Sequence, residues 1–107
     1  MPPTAPSVKL GVVATVNDGE VGSVVISVMA GGLAELIGIQ AGDRILLIND
    51  RPIETELDVA VFLSEVSNSF TVQYVEAATN SVAKVAIVRF YSTETASYHY
   101  AVERLGP

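Results

Sequence analysis

Two β-branched runs, residues 10–16 and 23–29, flank the tetrapeptide Asn17-Asp18-Gly19-Glu20. Asp-Gly between such runs is a hairpin signal, because both residues tolerate the positive φ that a tight turn between twisted strands requires. Ala30-Gly31-Gly32 ends the second run, and Leu33-Ala34-Glu35-Leu36-Ile37 is a short helix former stopped by Gly38. After a connector over 39–43, Arg44-Ile45-Leu46-Leu47-Ile48 is an apolar run too short for a free-standing helix and closed by Asn49-Asp50. It predicts a strand buried on both faces.

Pro52 holds the next segment extended, and Thr55 is placed to N-cap a helix over 56–66. Leu57, Val61 and Ser64 fall on one stripe of that helix and Val59, Phe62, Leu63 and Val66 on another, so it is expected to touch protein on more than one side. Residues 70–75 and 82–90 read as neighbouring strands joined by a loop. The tail, 91–107, carries two signals. Tyr98-His99-Tyr100-Ala101-Val102 suits a strand, while Thr93 as a cap and Leu105-Gly106-Pro107 as a stop suit a helix; the strand is preferred. The expected fold is α+β, a partly open antiparallel β-barrel or sandwich of five to six strands capped by two helices.

Composition narrows the function. The 107 residues are 50% hydrophobic, with a mean hydropathy of +0.44, which provides the apolar surface that a folded core needs. No cysteine is present, so disulfides, zinc-thiolate sites, iron–sulfur clusters and a cysteine nucleophile are excluded, and the lone His99 excludes a multi-histidine metal site. Twelve acidic against six basic residues give a net charge of −6, which repels phosphate backbones; nucleic acid is not an expected partner. The start, Met1-Pro2-Pro3-Thr4-Ala5-Pro6-Ser7, reads as a flexible Pro-rich lead-in with neither the basic nor the apolar region of a secretory signal. The longest uncharged run is shorter than the roughly 20 apolar residues of a membrane span. Direct membrane insertion is therefore not expected, and the cytoplasm is the favoured compartment.

The string Gly32-Leu33-Ala34-Glu35-Leu36-Ile37-Gly38-Ile39-Gln40-Ala41-Gly42-Asp43-Arg44-Ile45-Leu46-Leu47-Ile48-Asn49-Asp50 resembles the PDZ family's small helix followed by its Gly-Asp-x-Ile-x-x-Ile-Asn signature. Lys9-Leu10-Gly11-Val12 is similar to the family's carboxylate-binding loop, and the resemblance covers residues 8–90, leaving 91–107 as a C-terminal extension that adds a strand or a helix. It implies a non-catalytic interaction module with no cofactor or metal. Such a module binds a protein C-terminus, or an internal extended segment, by strand addition between the strand 12–16 and the helix 56–66. The implied peptide-binding residues are Lys9, Leu10, Gly11, Val12, Val13, Ala14 and Thr15 from the loop and strand, with Glu56, Val59, Ala60 and Leu63 from the helix. Gly11 lets consecutive N–H groups point at one spot as an anion nest, and Lys9 adds positive charge.

In the family the first residue of the second helix reads the ligand's third-last residue. Glu56 aligns there, which with Glu54, Asp58 and Glu65 implies a basic or hydroxyl residue at that place in the ligand. A scaffold-type PDZ domain also has a full strand before the carboxylate loop, where this chain has Pro2, Pro3 and Pro6. Proline donates nothing to a ladder, so that strand is expected to be missing or replaced by 82–90 or 98–102, as in the circularly permuted domains of bacterial proteases. Gly42-Asp43 reads as a turn and cap, Asn17-Asp18-Gly19-Glu20 as a turn without calcium-loop spacing, and His99 as solvent-facing. Two other readings stand beside the peptide-binding one. One is a structural or oligomerisation domain, a homodimer included, whose groove is filled by its own tail or closed by a neighbour; the other is a regulatory domain of a larger protease.

Overall fold

The computed structural model describes residues 8–16, 21–55 and 57–106. The lead-in 1–7 and the turn 17–20 lie outside them. Strand β1 (Val12–Thr15) pairs antiparallel with β2 (Ser23–Val28), Val12 across from Val28 and Thr15 across from Val24, with a bulge between Val13 and Ala14. The hairpin expected from the two β-branched runs is therefore present. Helix α1 (Leu33–Ile37) buries Leu33 and Ala34 and ends where the Gly38 N–H donates to the carbonyls of Ala34 and Glu35.

Strand β3 (Arg44–Ile48) is not buried on both faces: Ile45 and Ile48 are fully buried, whereas Arg44, Leu46 and Leu47 are half-buried. Ile45 and Ile48 are three apart and would face opposite ways in a regular strand. The register against β5 (Ser69–Glu76) slips between Ile45 and Leu47, which lets both isoleucines reach the core, Ile45 across from Tyr74 and Ile48 across from Val72. The two-residue strand β4 (Arg51–Pro52) pairs back on β3.

Helix α2 spans Asp58–Glu65, shorter than the expected 56–66, and Thr55 is not its N-cap. Instead the Asp58 carboxylate accepts the N–H groups of Glu54 (2.8 Å) and Thr55 (2.9 Å) and the Thr55 hydroxyl (2.8 Å), so the polar groups that would have opened the helix fold over its first turn. Leu63 is buried and Val59, Phe62 and Val66 pack on the core, but Leu57 is 72% exposed and Val61 44%. The stripe of Leu57 and Val61 thus faces outward, and α2 packs on the core through the other stripe.

Strands β6 (Ser81–Ser92) and β7 (Ser97–Gly106) form a long antiparallel hairpin, so the tail is a strand. The sheet order is β1-β2-β3-β5-β6-β7 with β4 beside β3, an open, mostly antiparallel sheet with two short helices. Neither β6 nor β7 pairs with β1; β7 extends the opposite end of the sheet. Val25, Val72, Tyr74, Val85 and Ile87 from the sheet meet Leu33, Ile39 and Leu63 in one core. Burying each such side chain is worth about 1.5–3 kcal/mol. The buried Asp43 acts as the turn-and-cap residue expected of it, its carboxylate accepting the N–H of Gln40 and of Ala77, each at 2.9 Å.

Candidate functional site

The segment before β1 is fixed through its carbonyls. The Leu10 carbonyl accepts the Ala34 N–H of α1 at 2.7 Å, and the Gly11 carbonyl accepts the Met29 N–H at 2.8 Å. In a trans peptide plane the carbonyl of one residue and the N–H of the next point in opposite directions. The N–H groups of Gly11 and Val12 are therefore turned away from α1 and from β2, toward the unpaired side of β1. Gly11 holds this arrangement at a φ of +80°, which an L side chain adopts only with strain. In sheet terms, Val12 faces Val28 with its own N–H and C=O directed outward, as in every second pair of an antiparallel ladder.

That unpaired side opens into a groove of about 440 Å³ between β1 and α2. Leu10, Gly11, Val12 and Ala14 line it from the β1 side, and Val59, Ala60, Leu63 and Ser64 from the helix; Val8, Lys9, Ser23 and Met29 complete it. The walls are apolar or small, and the charged group among them is Lys9, beside the two outward N–H groups. Eight sequence-expected residues meet here: Lys9, Leu10, Gly11, Val12, Ala14, Val59, Ala60 and Leu63. Val13 does not join them; it alternates to the other face and is 53% exposed. Thr15 continues the β1 edge without lining the groove, and Glu56 lies outside the described residues.

Sequence reasoning missed Val8, Ser23, Met29 and Ser64. Ser64 was within reach, one helical turn beyond Ala60, whereas Val8 lies before β1, outside the strand pattern. Met29 becomes a neighbour only when the hairpin register brings it beside Gly11, and no local signal marks Ser23.

The acidic residues of the helix region have structural duties. Three donors to its carboxylate, the Glu54 N–H first, then the Thr55 hydroxyl and N–H, hold Asp58 below the ordinary carboxylate pKa. Glu65 forms an ion pair with Arg51, whose guanidinium lies 4.0 Å from the centre of the Phe62 ring. His99 is half-buried on the outer face of the sheet. It stacks on Phe90 with ring centres 5.8 Å apart, and its Nε2 lies 2.7 Å from the Thr95 hydroxyl and 3.1 Å from that of Ser97. Among the described residues no group of three or more histidine or acidic side chains could hold a metal ion.

Compared with protein families, residues 24–74 match the model of the PDZ domain. Comparison with the curated proteins and with the solved structures finds no match. The matched stretch runs from β2 through most of β5 and so contains α2 and the helix wall of the groove, while β1 and its loop precede it.

Proposed function

We propose, from the match of residues 24–74 to the PDZ domain, a non-catalytic module that generally binds peptides, that this chain captures the free C-terminus of a partner protein by strand addition. An internal extended segment is the secondary ligand of the same groove. The observation that carries this reading is the coincidence of three features at one place: the unpaired edge of β1, the outward N–H groups of Gly11 and Val12, and the apolar groove under α2. The peptide's backbone pairs with β1, and its terminal carboxylate takes the two N–H groups with Lys9 nearby. Its last side chain, apolar, enters the groove among Leu10, Val12, Val59 and Leu63, with Ala14 and Ala60 leaving room. Val13 and Thr15 contribute backbone along the edge.

The ligand's third-last residue is basic or a hydroxyl, read by Glu56. Because Asp58 and Glu65 are already engaged within the fold, this preference rests on Glu56 and Glu54 and not on the whole acidic face. The test is an amide-shift titration with peptides ending in a hydrophobic residue, each as free acid and as C-terminal amide. Shifts confined to residues 10–15 and 59–64 that appear only with the free acids support the reading. Equal shifts with acid and amide, or none with either, overturn it, and equal affinity for acidic and basic third-last residues removes the role of Glu56.

A further inference from the structure

The other end of the sheet carries a second unpaired edge, β7, and its chemistry is unlike that of β1. Edge strands are ordinarily blunted by charges, prolines or bulges because their free N–H and C=O groups invite pairing. Across Ser97-Tyr98-His99-Tyr100-Ala101-Val102 there is no Lys, Arg, Asp, Glu or Pro. Ala101 is exposed opposite Val88, and His99 lies opposite Phe90; Val88 and Phe90 are each 47% exposed, so an apolar strip runs along the outer face beside the edge. Glu103 and Arg104 follow at the strand's end.

We propose that a second copy of this chain pairs antiparallel with β7, edge to edge about a two-fold axis through Ala101. A two-fold axis normal to the sheet keeps each face continuous only if residues of the same face oppose each other. The register with the longest overlap of 97–105 is centred on Ala101. It sets Glu103 across from His99 of the second copy on the outer face, twice by symmetry, while Arg104, ion-paired to Glu76 within its own chain, stays on the inner face. Opposed side chains in such a ladder lie about 4.5–5.5 Å apart, within reach of an acid–imidazole contact. No like charges oppose each other. Nine paired residues supply about nine main-chain hydrogen bonds, comparable to the roughly ten of a standard protein interface.

The test is sedimentation equilibrium of the full chain and of variants at exposed or half-buried positions of β7, with circular dichroism and thermal melts as controls for folding. The wild type is expected to dimerise reversibly. Ala101→Lys, which opposes two ammonium groups on the axis, and His99→Glu, which opposes Glu103, should each weaken the dimer by about tenfold. The double variant His99→Glu with Glu103→Lys should restore it, because the opposed charges are again of opposite sign. Since the chain has no cysteine, Ala101→Cys should form an intermolecular disulfide under mild oxidation, whereas Ser27→Cys on the far hairpin should not. A protein that stays monomeric to its solubility limit, a dimer indifferent to Ala101→Lys, or a failure of the double variant to rescue overturns the proposal. Peptide binding to the β1 groove is read at different residues, so either conclusion can fail without the other.

Discussion

Replacing Gly11 by alanine perturbs the proposed carboxylate loop at its tightest point. Two costs follow from the structure. The first is conformational: at φ +80° an L residue sits in the left-handed region, at about 1–2 kcal/mol. The second is steric: a Cβ on Gly11 would stand 3.3 Å from the Gly32 Cα and 3.7 Å from the Leu33 N, both backbone atoms at the start of α1. Backbone cannot rotate aside as a side chain does, so the loop or the helix must shift by a few tenths of an ångström, adding about 1 kcal/mol. Gly31 separates the two costs, for its φ is +79° but nothing lies within 4 Å of a Cβ placed there.

Gly31→Ala should therefore lose about 1–2 kcal/mol and Gly11→Ala about 2–3 kcal/mol in urea unfolding. In a thermal melt each kcal/mol lowers the midpoint by about 4–8 °C for a domain near this size. The same displacement re-aims the N–H groups of Gly11 and Val12, so Gly11→Ala should also weaken a C-terminal peptide at a temperature where both variants are fully folded, while Gly31→Ala binds as the wild type does. Equal destabilisation by the two substitutions would refute the packing argument. Unchanged peptide affinity in Gly11→Ala would refute the assignment of those N–H groups.

Leu63→Ala removes a buried side chain shared by core and groove; about 2–4 kcal/mol should be lost in denaturant unfolding, with weaker binding of peptides ending in a large apolar residue. Asp43→Ala strips the acceptor from the N–H groups of Gln40 and Ala77 and should cost about 1–3 kcal/mol, read as a lower melting temperature with peptide binding retained below it. Asp58 titrates below its ordinary 3.8 in the folded protein because the donors from Glu54 and Thr55 favour its charged form. Its contribution is thus fully present above the unfolded value and lost as pH falls through the folded one. Asp58→Asn should be less stable than the wild type at neutral pH, with the gap closing in acid; a gap independent of pH would show that the carboxylate charge is not what holds this turn.

Elements with a strong local signal were legible in the sequence. The first hairpin announces itself by Asp18-Gly19 between β-branched runs, and α1 by its Gly38 stop. Where two local signals competed, a distant partner decided: Thr93 and Leu105-Gly106-Pro107 could have bounded a helix, but β6 offers a complete ladder to Tyr98-His99-Tyr100-Ala101-Val102. Features that depend on register were not legible. Nothing in Arg44-Ile45-Leu46-Leu47-Ile48 reveals the slip that turns both Ile45 and Ile48 inward, and the start of α2 depends on Asp58 drawing in donors that the pattern assigned to a cap. The groove was legible only through the family resemblance, which implied the residues of β1 and one turn of α2; Val13 was included against its own alternation, and Met29 waited on the hairpin register.

An open sheet has two edges, and this fold treats them differently. At β1 the edge is only four residues long and helix α2 stands across a groove from it, so a pairing chain must be narrow, extended and able to place its end against Gly11 and Val12. At β7 the edge is ten residues long, its central stretch lacks the charged residues that protect an exposed strand, and its Glu103 is complementary to its own His99. No residue of β7 lines the groove, and the β7 residue that comes nearest, Tyr100, meets Lys9 across a separate cleft beside α1. A dimer joined through β7 therefore carries two peptide sites on one body. A partner bearing two tails would rebind the second site at an effective concentration set by the span between them, which raises its hold without any new contact to the peptide.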